Sequence, residues 1–168
     1  MIRVALYAGH ALVCIKGRGT YKVSSSLKRF AATAIDQGIT EFVVDMHDCD
    51  HMDSTFMGVL AGVALRLQRV GSGNVRMINL LPSAQEALRT VGIDDLLVAC
   101  EATQIGPGLF ATCRERDGEQ LEEATASDGG TLETMLQAHE DLVAASPDNA
   151  AQFTDVITFL KQAGRADG

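Results

Sequence analysis

The middle of the chain alternates between short apolar runs and helical segments, and this alternation constrains the fold more than any other feature. Residues 41–46 (EFVVDM) form a short apolar run that fits a strand buried on both faces, and residues 74–80 (NVRMINL) read as another strand. Residues 56–70 place apolar side chains at intervals of three and four, and residues 83–92 begin with capping-box spacing and end at a glycine. Both segments therefore predict helices. Because helical crossovers join parallel strands, we expect a sheet with parallel neighbours.

A hairpin and a helix precede this alternation. Residues 3–9 and 11–17 read as two strands separated by turn residues, and residues 27–35 show helical spacing that ends at Gly38. At the other end, residues 93–101 predict one more short helix leading to a final strand. The predicted fold class is α/β, with a mixed four- to five-stranded sheet covered by helices.

The character of the chain changes at residue 117. Residues 117–130 are polar, acidic and end in glycines, which is typical of a linker. Residues 131–164 contain two amphipathic helices, and the sequence SPDN between them supplies a cap and a proline at the start of the second helix. The chain is therefore predicted to consist of an α/β domain (residues 1–116), an acidic linker and a C-terminal α-helical hairpin.

The apolar faces of this hairpin need something to cover them. We expect Leu136, Phe153 and Ile157 to be buried, either against the α/β domain or against a second copy of the chain in a homodimer. Packing within one molecule is favoured, because short linkers usually fold back.

Charge is distributed unevenly along the chain. Residues 1–116 carry 12 Lys and Arg against 11 Asp and Glu, whereas residues 117–168 carry 2 against 11. A near-neutral body with an acidic end argues against direct nucleic-acid binding, which needs clustered cations. No window reaches the ~18 apolar residues of a membrane helix, and the N-terminal apolar run is too interrupted for a signal peptide. The four cysteines form no C-x-x-C pair, so we expect a cytoplasmic protein in a reducing compartment.

Residues 47–60 (HDCDHMDSTFMGVL) concentrate the reactive side chains, and two chemical interpretations are disfavoured. His47, Cys49 and His51, at a period of two, would point the same way from an extended segment, but zinc needs a fourth ligand at a workable spacing. Asp48 and Asp50 after a strand resemble the carboxylate pairs of phosphoryl-transfer enzymes, but the Thr or Val that those motifs require is missing. We expect no metal, no cofactor and no catalytic residue here.

The same stretch is also a good helix start. Asp53 and Ser54 are suitable caps, and Thr55 follows at the first helical position. The plain interpretation is that these side chains only satisfy the free N–H groups of the helix. The functional interpretation is that a hydroxyl lies exposed at the C-terminal edge of the sheet, where a phosphate would sit at the positive end of the helix. The residues alone do not decide between these two interpretations.

The sequence MDSTFMGVL (residues 52–60) resembles the signature of the STAS domain, the fold of bacterial anti-sigma-factor antagonists, whose members show D-S-[ST]-G-h-G (h apolar). The resemblance covers residues 1–115. It implies a protein-binding switch and not an enzyme, with Thr55, the second hydroxyl of the pair, phosphorylated by an anti-sigma-factor serine/threonine kinase and dephosphorylated by a PP2C-type phosphatase. The residues that it implies for partner binding are Asp53, Ser54, Thr55, Phe56, Met57 and Gly58.

The sequence departs from the family pattern at two positions. Phe56 stands where members have glycine, and we expect its ring to enlarge the docking surface. Thr20 stands where relatives often carry aspartate. A STAS module that is not phosphorylated, and that serves in ligand sensing, assembly or as an accessory to lipid transport, is therefore the alternative. The switch requires the Thr55 hydroxyl to be open to solvent on a face meant for another protein.

Overall fold

The computed structural model describes residues 1–7, 9–71, 73–105, 118–124 and 129–166. These residues contain one sheet of six strands in the order β5-β4-β3-β2-β1-β6. The strands are β1 (Ile2–Tyr7), β2 (His10–Gly19), β3 (Glu41–Met52), β4 (Asn74–Ile78), β5 (Leu97–Ala99) and β6 (Glu119–Gln120).

The sheet is mixed, as the sequence predicted. Strands β1 and β2 form the antiparallel hairpin, and β2, β3, β4 and β5 are parallel neighbours. The sixth strand is the difference: Glu119–Gln120 pairs antiparallel with β1, within the segment interpreted as a linker. Two exposed polar residues give no apolar alternation from which a strand could be predicted.

Five α-helices lie along the described chain. They are α1 (Tyr21–Asp36), α2 (Ser54–Arg69), α3 (Pro82–Thr90), α4 (Gly129–Ala145) and α5 (Ala150–Ala166), with short 3-10 helices at Ala102–Ile105 and Pro147–Asn149. Apolar residues of the sheet, α1 and α2 meet in the main core, which also takes in Leu142 and Phe153 of the last two helices. No helix in the described ranges is long and apolar enough to cross a membrane.

Strand β3 is longer than the sequence predicted. The apolar run from which it was predicted ends at residue 46. Instead the strand continues to Met52, and its second half pairs with β2 through Lys16–Asp48 and Gly17–Cys49, with register shifts typical of β-bulges. The polar residues after position 46 fit a strand because most of them face solvent at the end of the sheet.

The helix predicted at residues 93–101 is wrong. Residues 94–96 form a turn, closed by the Leu97 amide, which donates to the Ile93 carbonyl at 3.0 Å. The chain then leaves the helical path because Leu97 pairs with Val75 as the first residue of β5. Tertiary pairing therefore overrides a segment whose local preference is helical.

The C-terminal helices pack on the α/β body, by which we mean residues 1–105 and 118–124. Phe153 is buried in the core that α5 shares with this body, as predicted, while Leu136 and Ile157 are only partly covered. The buried Asn149 fixes the corner between α4 and α5, since its amide donates to the carbonyls of Val91 (2.7 Å) and Leu142 (2.8 Å).

Candidate functional site

Asp53 organises the start of α2. Its Oδ1 accepts from the Phe56 amide at 2.8 Å, as an N-cap does, and its Oδ2 accepts from the Tyr21 amide at 2.8 Å. One carboxylate therefore caps the first turns of both α1 and α2. The Asp53 amide also donates to the Gly19 carbonyl at 3.0 Å, which ties this point to the end of β2.

Ser54 is held by a histidine from α4. The Ser54 hydroxyl lies 3.1 Å from Nε2 of His139, and Nδ1 of His139 lies 2.7 Å from the Met135 carbonyl. A carbonyl can only accept, so Nδ1 donates to it, and Nε2 is the ring atom that meets the Ser54 hydroxyl. His139 is only 4% exposed, and its ring also packs edge-on against Phe153. The hydroxyl–imidazole bond thus fastens α4 to the first residue of α2.

The sequence predicted that the Thr55 hydroxyl is open to solvent, and this is wrong. Thr55 is 3% exposed. The reason is that α2 is buried around its whole circumference here: every residue from Thr55 to Ala61 is buried, so the helix has no free face. The sequence argument assumed a helix with one face on the sheet and the other in solvent.

Phe56 does not enlarge a docking surface either. Its ring is fully buried and lies against Gly19, so close that a Cβ at Gly19 would be 2.6 Å from Cδ1 of the ring. The large residue after the hydroxyl pair is therefore accommodated by the missing side chain at the end of β2. Met57 is also buried in the core.

Helix α4 crosses α2 along a line of small residues. Ser54, Gly58 and Gly62 are spaced by four and therefore lie on one face of α2. A Cβ on Gly58 would overlap the Ala138 carbonyl, and a Cβ on Gly62 would overlap the carboxylate of Asp141. The absence of a side chain at Gly58 lets the α4 backbone approach closely, and its absence at Gly62 leaves room for the Asp141 side chain.

Next to this crossing is a cavity of about 300 Å³ between α1, α2 and α4. Lys28, Arg66 and Arg69 line it together with Asp141. Burial raises the pKa of the Asp141 carboxyl, and this outweighs the hydrogen bond from Gln137 and the nearby charges of Lys28 and Arg69, which lower it. The apolar part of the wall is formed by Ala31, Ile35, Val59, Val63 and Ala138.

The cluster of residues 47–51 does not assemble as its spacing predicted. Cys49 is 2% exposed and points into the core, whereas His47 and His51 are exposed, because the bulges break the period of two. Burial raises the pKa of the Cys49 thiol. Among the described residues, no three His, Cys, Asp or Glu side chains lie close enough together to hold a metal ion.

The fold and this site can now be compared with known proteins. A family model for the STAS domain matches residues 2–112. The chain belongs to the STAS domain family. The match includes β1 to β5 and α1 to α3 but neither α4 nor α5, so the helical hairpin is an addition to the STAS domain. A search of curated proteins found no significant match.

Solved structures share the STAS fold at low sequence identity. The anti-sigma factor antagonist SpoIIAA in its unphosphorylated form has a TM-score of 0.53 and 18% identity, over 62% of this chain and 92% of that one. The Bacillus cell fate determinant SpoIIAA in its phosphorylated form gives 0.52 and 16%, over 62% and 96%. The Thermotoga maritima protein TM1081 gives 0.55 and 10%, over 62% and 90%. At these identities the similarity establishes the fold.

The signature residues of the STAS domain therefore lie beneath the added C-terminal helices. The structure brings Ser54 and Gly58 into direct contact with α4, and it places Thr55, Phe56 and Met57 in the interior. Sequence reasoning placed His139 on the apolar stripe of α4 but gave neither His139 nor Gly62 a role in the site. The signal for Gly62 was present in the spacing of Ser54, Gly58 and Gly62, whereas nothing local to His139 indicates which helix it meets.

Proposed function

We propose that this chain is an anti-sigma-factor antagonist: a non-catalytic, cytoplasmic STAS module that binds an anti-sigma-factor serine/threonine kinase through the start of α2. The binding residues in this proposal are those of the signature, Asp53 to Gly58. The observation that carries it is the hydroxyl pair Ser54–Thr55 at the capped N-terminus of α2, in a chain of the STAS family. The fold is shared with an antagonist solved in both unphosphorylated and phosphorylated forms.

Phosphorylation would act through charge. A phosphate adds about −1.5 to −2 charges. The nearby surface already carries exposed Asp48 and Asp50. A partner that covers this surface would have to bury the added charge, which costs several kcal/mol without cationic partners, against the ~8 kcal/mol of a micromolar complex. Phosphorylation therefore releases the kinase, and a PP2C-type phosphatase restores binding.

The acceptor in this proposal is Thr55, and its burial adds a requirement. A kinase must reach a hydroxyl that the packed structure covers, so the first turn of α2 has to become accessible before transfer. Ser54 is partly exposed, but its hydroxyl is bonded to His139. Modification of either residue therefore competes with the packing seen here.

The test is phosphorylation of the full chain by the anti-sigma-factor kinase with Mg·ATP, followed by intact mass and peptide mapping. We expect one added phosphoryl group that Thr55→Val abolishes, that Ser54→Ala retains, and that PP2C phosphatase removes. Modification that persists in Thr55→Val and disappears in Ser54→Ala would reassign the acceptor. A chain that is neither phosphorylated nor bound by the kinase contradicts the proposal.

A second candidate is a STAS module that binds a small ligand without phosphorylation, in sensing, assembly or lipid transport. The cavity of about 300 Å³ between α1, α2 and α4 favours it, since small-molecule sites begin at about this size. Native mass spectrometry of the chain purified from its own cells distinguishes the two. A bound metabolite or lipid on unphosphorylated protein supports the second candidate.

A further inference from the structure

The start of α2 is occupied in this structure, and its occupant is helix α4. Contacts run along one line: His139 on Ser54, Ala138 on Gly58 and Asp141 on Gly62. Ser54 and Gly58 are also part of the surface that the proposed function assigns to a partner. A partner and α4 cannot hold these residues at the same time.

The contact is also matched in charge. Helices α4 and α5 carry four acidic residues and two basic ones, and Asp141 enters the cavity lined by Lys28, Arg66 and Arg69. Ala138 and Asp141 lie three residues apart, on one face of α4. The surface that receives α4 thus accepts a small residue at the glycine line and, three residues later, an acidic side chain beside cationic ones.

We propose that α4 is an internal competitor for the partner site. The partner displaces it by docking a helix of the same chemistry, with a small residue at the position of Ala138 and a carboxylate at that of Asp141. The inference rests on the proposed function, because it concerns the same surface. It adds that the free chain is closed, and that opening of α4 limits both kinase binding and phosphorylation.

The packing of α4 is of a kind that can open. Part of its contact with α1 and α2 is polar: the Ser25 hydroxyl donates to Thr134 at 3.1 Å, and the Ser54 hydroxyl is hydrogen-bonded to His139. The buried hydroxyl of Thr131 has no hydrogen-bond partner. Such groups regain water when α4 leaves, which lowers the cost of opening relative to an all-apolar interface.

The first experiment needs no partner. Hydrogen exchange of the full chain, followed by mass spectrometry, reports the opening of α4, because a helix of this length is marginal once undocked. In Ala138→Glu a charge falls on the buried contact with Gly58, and we expect exchange in α4 to accelerate at least about tenfold. The matched control is Ala144→Glu, which adds the same charge to an exposed position of α4 and leaves exchange unchanged.

A milder variant guards against general unfolding. Leu142→Ala shortens a buried α4 side chain without adding charge, and it should accelerate exchange in α4 while β3 and β4 stay protected. Equal exchange of α4 in the wild type, Ala138→Glu and Leu142→Ala overturns the inference.

The second experiment adds the anti-sigma-factor kinase with Mg·ATP. In Ala138→Glu we expect phosphorylation at least about tenfold faster, and kinase binding at least about tenfold tighter, than in the wild type. Ala144→Glu should equal the wild type in both. Equal rates in all three chains overturn the inference and leave the proposed function standing. Absence of binding and transfer in every chain, with α4 still opened by Ala138→Glu, defeats the proposed function and with it the partner's role.

The chemistry of the partner helix is tested by reversing charge in the cavity. In the opened Ala138→Glu chain, Lys28→Glu and Arg69→Glu should each weaken kinase binding. The matched control is Lys22→Glu, at an exposed position of α1 outside the cavity, and it should have no effect. Equal affinity in all three chains would show that the partner brings no carboxylate to this site.

Discussion

The pairing of Phe56 with Gly19 supports a quantitative prediction. The ring is fully buried and touches the position where Gly19 has no side chain. Truncation of a buried Phe to Ala loses its apolar contacts and leaves a cavity, which costs about 3–5 kcal/mol. For a chain of this length, we expect Phe56→Ala to lower Tm by roughly 6–20 °C. Urea and thermal unfolding followed by circular dichroism measure both quantities.

The chain provides a matched control for this substitution. Phe159 on α5 is 67% exposed, so Phe159→Ala should change the free energy of unfolding by less than ~0.5 kcal/mol. If Phe56 instead contributed to an exposed docking face, the two variants would have similar stability. A loss below ~1 kcal/mol for Phe56→Ala would therefore refute its burial.

A double-mutant cycle tests the contact itself. Gly19 has no positive φ, so alanine suits its backbone, but the added methyl would overlap the ring. We expect Gly19→Ala to cost about 1–3 kcal/mol through overpacking in the wild type, and much less in Phe56→Ala, where the ring is gone. The coupling energy should therefore be about 1–3 kcal/mol. Additive effects would mean that the two residues do not meet.

Three further predictions concern polar side chains that are buried or partly buried. Asn149→Ala should destabilise the chain by about 2–3 kcal/mol in urea unfolding, because two carbonyls lose their donor; no change would contradict the anchored corner. Asn79→Ala should lower the free energy of unfolding by about 2–4 kcal/mol, since Asn79 has φ of 56° and its amide donates to the buried Asp45 at 2.7 Å. Asn79→Gly should be less destabilising, because glycine removes the backbone strain of the alanine variant but does not restore the hydrogen bond. For Asp141, a folded pKa above the unfolded value of 3.8 means that the stability of the wild type falls as pH rises through the folded pKa. Asp141→Asn should therefore be more stable than the wild type at neutral pH and lose this advantage below pH 3.8. If the difference in stability between the two chains stayed constant across that window, the carboxyl would be excluded as its cause.

The sheet and its helices could be predicted because their signals are local. The apolar run of β3, the periodicity of α2 and the glycine that ends α1 each depend on residues adjacent in sequence. All three elements formed at these places, although α1 begins earlier, at Tyr21, and β3 ends later, at Met52. The extension of β3 to Met52 could not be predicted in this way. It depends on pairing with β2, more than thirty residues away, which supplies hydrogen bonds to a stretch with no apolar alternation.

The sequence predicted where the candidate site lies in the chain, at the start of α2, but not how deeply its residues are buried. The capping role of Asp53 follows from its place before a helical pattern, and the structure confirms it. The burial of Thr55 does not follow, because it depends on which surface the α4 helix covers. The amphipathic stripe of α4 showed that this helix would be covered, but the choice between the body and a second copy required the three-dimensional fit of Gly58 and Gly62.

The double cap gives Asp53 of the signature a structural role that does not depend on phosphorylation. The aspartate joins two helices at their first turns, so a chain whose hydroxyls are never modified would need it just as much. Loss of function in an Asp53 variant would therefore be explained by the disrupted start of two helices and would not by itself show that a partner contact had been lost. In this protein Asp53 has a structural role, and evidence for signalling has to come from Ser54, Thr55 and the helix α4 that covers them.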